Sequence, residues 1–223
     1  MGKTRHLLTR AAGFVLLVLF ATVLRIHAQA EDHVPEVALK LFEPWEDMRK
    51  RSSAEIHAIS GEEVGSSWFR VIPFDARLRF ADSHYGFVTP RAKFFTIGFN
   101  RAKVTNVRMS PQVEALVLDD ALKVVIDLQD QWRNGGWKPF DTKHMPLFAD
   151  TPQWRKDLED CKTNTTFWLV PGLYQTQLDI ACFDDANHPN EKRYLITLEL
   201  SQPYVKETDG DFRHLKPYRP PQP

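Results

Sequence analysis

Motifs that would carry chemistry are scarce in this chain. Its eight histidines form no H-x-H or H-E-x-x-H, and no other spacing brings two imidazoles to one metal. There is no G-x-S-x-G elbow, since "EEVGSSWF" holds a single glycine. "GEEVGSS" is too short and too acidic to cradle a phosphate. Only two cysteines occur, and not as Cys-x-x-Cys. Charge of one sign is also missing: 29 basic residues balance 29 acidic ones, so no polyanionic partner is advertised. No repeat or low-complexity tract appears. These absences argue against zinc hydrolases, serine hydrolases of the elbow type, nucleotide-binding loops and dithiol redox enzymes. No catalytic residue, metal ligand or cofactor is assigned.

What is present starts at the N-terminus. Lys3, Arg5 and Arg10 precede Ala11–Leu24, 14 residues without a charge, and Ala28-Gln29-Ala30 has the small-x-small form of a cleavage site. That layout is a secretory signal, and the run is short of the roughly 20 apolar residues a permanent span needs. Arg25 supports the other reading, an uncleaved anchor whose arginine snorkels to the far interface. Both readings put the bulk of the protein outside the cytoplasm: periplasmic or secreted, or anchored in the inner membrane with the domain outside. The expected organisation is a signal or anchor over 1–30, one globular domain over 31–212, and a proline-rich extended tail over 213–223. Without residues 1–30 the remainder carries 25 basic and 29 acidic residues, a charge of −4.

The cysteines offer an independent test of export. Pro171-Gly172 is a turn dipeptide between strand formers and predicts a hairpin. Centred there, paired residue numbers sum to 343, and so do Cys161 and Cys182. In that register the thiols face each other within disulfide range. One face then carries Phe167, Leu169, Tyr174, Leu178 and Ile180 with the cysteines; the other is polar except for Trp168. A Cys161–Cys182 disulfide is expected, with a structural role.

Elsewhere, "PEVALKLF" and "PWEDMRKRSSAEIHAI" are compatible with helix. "SSWFRVIPF" reads as a strand that Pro73 either confines to a sheet edge or ends, and "ARLRFAD" as a second strand. "AKFFTIGFN" and "KVTNVRMS" make a hairpin turning near Asn100-Arg101. Ser110-Pro111 has the form of a helix start. Leu118, Ala121, Leu122, Val125, Leu128 and Trp132 lay an apolar stripe along a long helix. Thr151-Pro152 starts a shorter one. "RYLITLEL" is a strand after the loop "DDANHPNEK". The fold class this implies is α+β: an antiparallel sheet with one long amphipathic helix on one face, one shorter helix and a disulfide-closed C-terminal hairpin.

For function, the candidate histidines are isolated. Asp119, Asp120, Asp127 and Asp130 read as a solvated helix face, and Asp184-Asp185-His188 matches no calcium loop. Asn164-Thr165-Thr166 is a glycosylation sequon only in a eukaryotic secretory pathway. One feature stands out. Residues 70–108 carry eight basic residues against Asp75 and Asp82, a local charge of +6. Arg70, Arg77, Arg79, Arg91 and Lys93, with Trp68, Phe80 and Tyr85, form the expected binding patch, and Arg and aromatics are favoured at interface centres. The plainer account is that these cations pair within the fold, with the acidic helix face for example. The patch reading predicts an exported, non-catalytic binding protein whose partner is an envelope or secreted protein with an acidic surface. An immunity-type or accessory protein acting on an envelope toxin or enzyme fits that class. No nucleic acid is expected, and a membrane only through an uncleaved N-terminal segment. Two alternatives stay open: an envelope hydrolase using His84, His144 or His188 with a nearby Asp, and a membrane-anchored assembly subunit.

Overall fold

The stripe from Leu118 to Trp132 has to be buried against something, and it finds two sheets. The computed structural model describes residues 34–204, and the chain divides between Val34 and Pro35 into two units, of which only the second is described below. The expected signal or anchor, His6, His27, His33, His214 and the 213–223 tail lie outside the described residues.

In chain order the elements are β1 (Glu36–Leu39), α1 (Trp45–Arg51), a 3-10 turn (Gly61–Gly65), β2 (Ser67–Val71), β3 (Ala76–Phe80), β4 (Phe87–Ala92), β5 (Phe95–Asn100), β6 (Lys103–Met109), α2 (Leu118–Asn134), β7 (Lys138–Phe140), α3 (Pro152–Glu159), β8 (Asn164–Val170), β9 (Tyr174–Phe183) and β10 (Arg193–Ser201). The class is α+β as the patterns require. The larger sheet has seven antiparallel strands in the order β2-β5-β6-β10-β9-β8-β7. A second sheet, β1-β3-β4, joins β3 antiparallel to β4 and parallel to β1.

Helix α2 packs on β10 of one sheet and on β4 of the other. Trp132 is the clearest bridge. Its ring lies 5.6 Å from Phe87 of β4, 5.9 Å from Trp168 of β8 and 6.4 Å from Trp137, all buried. On β10, Tyr194, Ile196, Leu198 and Leu200 alternate into the same core with Phe95, Ile97 and Phe99 of β5. Period-two strands and a 3.6-period helix therefore supply one continuous apolar interior.

Several sequence expectations need correction. "PEVALKLF" is not helical: Glu36–Leu39 is a strand whose Val37, Ala38 and Leu39 are all buried. The helix in "PWEDMRKRSSAEIHAI" stops at Arg51, where the Ser52 hydroxyl donates to the Met48 carbonyl and Ser52 leaves helical backbone. Ser110-Pro111 opens no helix. The Gln112 amide ties this segment to β10 instead, accepting from Ile196 N and donating to the Tyr194 carbonyl, and α2 starts only at Leu118. Thr151 does cap α3, its hydroxyl accepting from Trp154 N at 3.3 Å.

The hairpin is present with its register one residue away from expectation. Val170 pairs with Tyr174 and Trp168 with Thr176, so pairs sum to 344. The connection is Pro171-Gly172-Leu173, with Leu173 N donating to the Val170 carbonyl and Gly172 at φ +71°. Proline then glycine at the two central positions is the residue pattern of a type II turn. The shift removes the Trp168 exception: Trp168 faces the main core with Leu178 and Ile180, while Phe167 and Leu169 turn outward and are covered by Phe140, Met145 and Tyr204.

The Cys161–Cys182 disulfide is formed, with Cα atoms 5.3 Å apart, but it is not a cross-strand pair. Cys161 lies before β8, at the end of α3. Its N–H donates to the Leu158 carbonyl and Lys162 N to the Asp157 carbonyl, the paired bonds of a Schellman helix end. Cys161 occupies the left-handed position of that motif, at φ 56°. The bond thus fastens a helix terminus to β9, whose Cys182 pairs with Tyr194 of β10. A closed disulfide is what chains folding in an oxidising compartment retain. Among the described residues no helix is long and apolar enough to cross a membrane.

Candidate binding surface

Of the expected patch, Arg77, Arg79 and Arg91 come together on the paired strands β3 and β4, while Arg70 and Trp68 stand on β2 of the other sheet. Arg77 and Arg79 of β3 both bind Glu36 of β1, at 3.2 and 2.6 Å. Arg91 of β4 lies 3.7 Å from Asp75, and Arg70 of β2 pairs with Glu63 of the 3-10 turn at 2.6 Å. These cations are matched locally and not by the acidic face of α2, whose Asp119 pairs with Arg155 and Asp130 with Arg133. Phe80 leaves the patch altogether: it is 1% exposed and packs on Phe87, Trp137 and Tyr174. Tyr85 is half-buried, with its ring against His84, Trp137 and Tyr174. Trp68 and Lys93 remain exposed.

What sequence reasoning missed is the outer face of the seven-stranded sheet. Strand register aligns one residue from each strand across it: Val71, Thr96, Arg108, Glu199, Gln177, Phe167 and Phe140. Alternation predicts which side chains of β10 point outward (Arg193, Leu195, Thr197, Glu199), but not which strands flank them. The neighbours come from non-consecutive pairings such as β6 with β10.

In this row Glu199 stands between Arg108 and Gln177, and Asp179 stands one step diagonal to it, opposite Thr197. Burial pushes the Asp179 carboxyl up; bonds from the Thr165 hydroxyl and the Gln177 amide, and the Arg108 charge, only partly oppose it. Burial also raises Glu199, with Arg108 acting downward and the Asp179 charge upward. Tyr204 donates its hydroxyl to Gln177 at 2.7 Å, and its own titration is pushed up to about 12 by burial and then by the Glu199 charge.

Both carboxyls bind protons more tightly folded than unfolded, so their contribution to stability is full at low pH and is lost as pH rises through the raised folded values. Glu199→Gln and Asp179→Asn remove that loss. Against wild type, each variant gains stability as pH rises above about 4, the ordinary carboxylate range, with little difference below it. Urea midpoints measured across this range check it; parallel curves for wild type and variant would refute it.

Beside this row is a cleft of about 710 Å³. Its lining includes Leu195 and Thr197 of β10, together with Lys93, Phe94, Arg108, Phe183 and Asp185. Phe94 and Phe183 expose nearly half their surface there. Lys93 and Arg108 form no ion pair among the described residues.

The candidate histidines separate into three places. His188 Nδ1 lies 2.8 Å from Asp185, which also lines the cleft, and this contact with the Asn187 N–H holds Asp185 below the usual carboxylate range. His144 Nδ1 lies 2.9 Å from both oxygens of Asp141, in another loop. His84 donates its backbone N–H to Asp82. No hydroxyl among the described residues is hydrogen-bonded to any of these rings. No group of three or more His, Cys, Asp or Glu among the described residues is placed to hold a metal ion. No family profile, no curated protein and no solved structure matches this chain.

Proposed function

We propose that the protein is an exported binding protein, periplasmic if its source is bacterial, that holds part of an envelope or secreted partner in the cleft beside β10 and performs no chemistry on it. The observation that carries this reading is the make-up of the cleft. Two half-exposed phenylalanines flank it, and Lys93 and Arg108 line it without ion-pair partners among the described residues. Half-exposed rings that anchor suit an interface centre, and an exposed Lys93 suits its rim, where a cation steers an acidic partner; Arg108 already faces Glu199. An immunity-type or accessory role toward an envelope-acting toxin or enzyme is the biological setting we favour. The disulfide supports the exported compartment.

The test uses the purified protein immobilised and exposed to envelope extract. Wild type retains a stoichiometric partner. Lys93→Glu slows its capture by about tenfold, more at low salt than at high, because a steering charge has been reversed. Phe94→Ala weakens retention through faster release. Unchanged kinetics in both variants refute the cleft as the binding site.

One observation favours the hydrolase alternative: Asp185, which His188 contacts, lines the same cleft. His188→Ala separates the two. The binder keeps its partner with unchanged affinity, whereas an enzyme loses turnover. N-terminal sequencing of the exported protein that finds Glu31 first removes the anchored-subunit reading.

A further inference from the structure

Four strands form the edges of the two sheets, and three of them are guarded. On β1 the outward N–H groups of Glu36 and Ala38 donate to the Ser53 and Ser52 hydroxyls, and Ala54 N donates to the Glu36 carbonyl. On β4 the Gln131 side chain of α2 accepts from Val88 N and donates to the Val88 carbonyl, both at 2.9 Å. Strand β7 is three residues long, with Lys138 and a central Pro139 that lacks an N–H. Short length, lysine and proline are the usual protections of an edge.

Strand β2, "SWFRV", has none of these. It is exposed along nearly its whole length, with Trp68 61% and Phe69 56% exposed and their rings stacked 6.2 Å apart. Arg101 N donates to the Ser66 carbonyl and Ile72 N to the Phe95 carbonyl, so the even-numbered residues face β5. By the alternation of an antiparallel ladder, Ser67, Phe69 and Val71 turn their N–H and C=O groups away from the sheet.

We propose that β2 pairs antiparallel with β2 of a second copy of this chain, about a two-fold axis at Phe69. The outward groups match this axis. Phe69 opposes its own copy, and Ser67 opposes Val71, each pair exchanging both N–H···O bonds. The remaining pair sets Trp68 across from Arg70 of the other copy, twice, on one face. Arg70 is ready for it: Glu63 holds the guanidinium, and its Nε is buried without a partner among the described residues. A cation beside an indole face is a favourable cross-strand pair. Moving the axis to residue 70 would set Arg70 against Arg70, which charge repulsion opposes, and moving it to residue 68 would lose both Trp68–Arg70 pairs. The self-complementary set Phe–Phe, Trp–Arg and Ser–Val is why the occupant is a second copy and not a foreign strand. This pairing is independent of the cleft, which β2 does not line.

Sedimentation velocity of the purified protein tests it. The expected result is a mass that doubles with concentration. Phe69→Pro removes one outward N–H while leaving every β2–β5 bond in place, and it returns the protein to monomer. Trp68→Lys sets like charges opposite and also gives monomer; Trp68→Glu sets Glu against Arg70 and keeps the dimer. Under oxidation, Phe69→Cys couples to itself as a covalent dimer, whereas Val71→Cys, opposite Ser67, does not. A monomer at every concentration overturns the proposal. So does a dimer that survives both Phe69→Pro and Trp68→Lys, since it must use another surface. Loss of dimer in Trp68→Glu and Trp68→Lys alike overturns the register.

Discussion

Replacing Cys161 and Cys182 by serine together lowers the stability of this protein by about 3 kcal/mol. The bond closes a loop across a sequence separation of 21 residues, and the chain-entropy cost released into the unfolded state is of that size. The folded state adds a local reason. Cys161 terminates α3 in a left-handed conformation that a residue with a Cβ adopts at a cost of about 1 kcal/mol. With the sulfur bond gone, nothing covalent holds that conformation, so the end of α3 and the turn into β8 open first. Urea unfolding with intact and serine-substituted protein reads the loss, and hydrogen exchange at Cys161 and Lys162, whose N–H groups close the helix end, reads its location. A loss under about 1 kcal/mol would mean that the unfolded chain gains little freedom from breaking the bond. A second change, Cys161→Gly in a Cys182→Ser background, recovers part of the stability because glycine occupies the left-handed region freely.

Trp132→Ala costs about 4 kcal/mol, the range expected for deleting a fully buried tryptophan. The reason is position: this ring touches Phe87 of the small sheet and Trp168 of the large one, so its removal opens a void between layers that cannot both close on it. Its indole Nε1 has no hydrogen-bond partner among the described residues, so packing dominates its contribution. Trp132→Phe therefore retains most of the stability. Trp137 differs, because its Nε1 donates to the Tyr85 carbonyl at 3.0 Å. Trp137→Phe leaves that acceptor unmatched, a further cost of about 1 kcal/mol. Chemical denaturation of the four proteins decides it. Trp132→Ala still unfolds in one transition, since both sheets share one core; a biphasic curve would show that the sheets are energetically separate.

Elements with long, regular patterns were legible from the chain. The Leu118–Trp132 stripe, the Thr151-Pro152 start and the alternation of "RYLITLEL" correspond to α2, α3 and β10 because local spacing decides each. Short elements were not. The four residues of β1 have no period to read, and their strand state comes from pairing with β3, some forty positions away. The disulfide was legible for an incomplete reason. A register summing to 343 made the cysteines cross-strand neighbours and left Trp168 on the polar side, whereas the turn takes one more residue and Trp168 belongs to the core. That single misplaced tryptophan was the signal available in the sequence. The basic patch was legible as composition only. Whether an arginine is matched depends on Glu36, Glu63 and Asp75, whose positions relative to it are set by sheet order and turn geometry. Lys93 was in the expected set, but its companions in the cleft, Arg108 and Phe183, come together through the β6–β10 and β9–β10 pairings.

The amide of Gln131 imitates a missing strand. By offering one donor and one acceptor to Val88 it supplies what a neighbouring backbone would, from a helix lying across the layer. The helix is thereby keyed to the rim of the smaller sheet in rotation and in height as well as through its greasy side. Sliding α2 by one turn would break both contacts at once, so this side chain works as an index mark that fixes where the helix stops along its own axis.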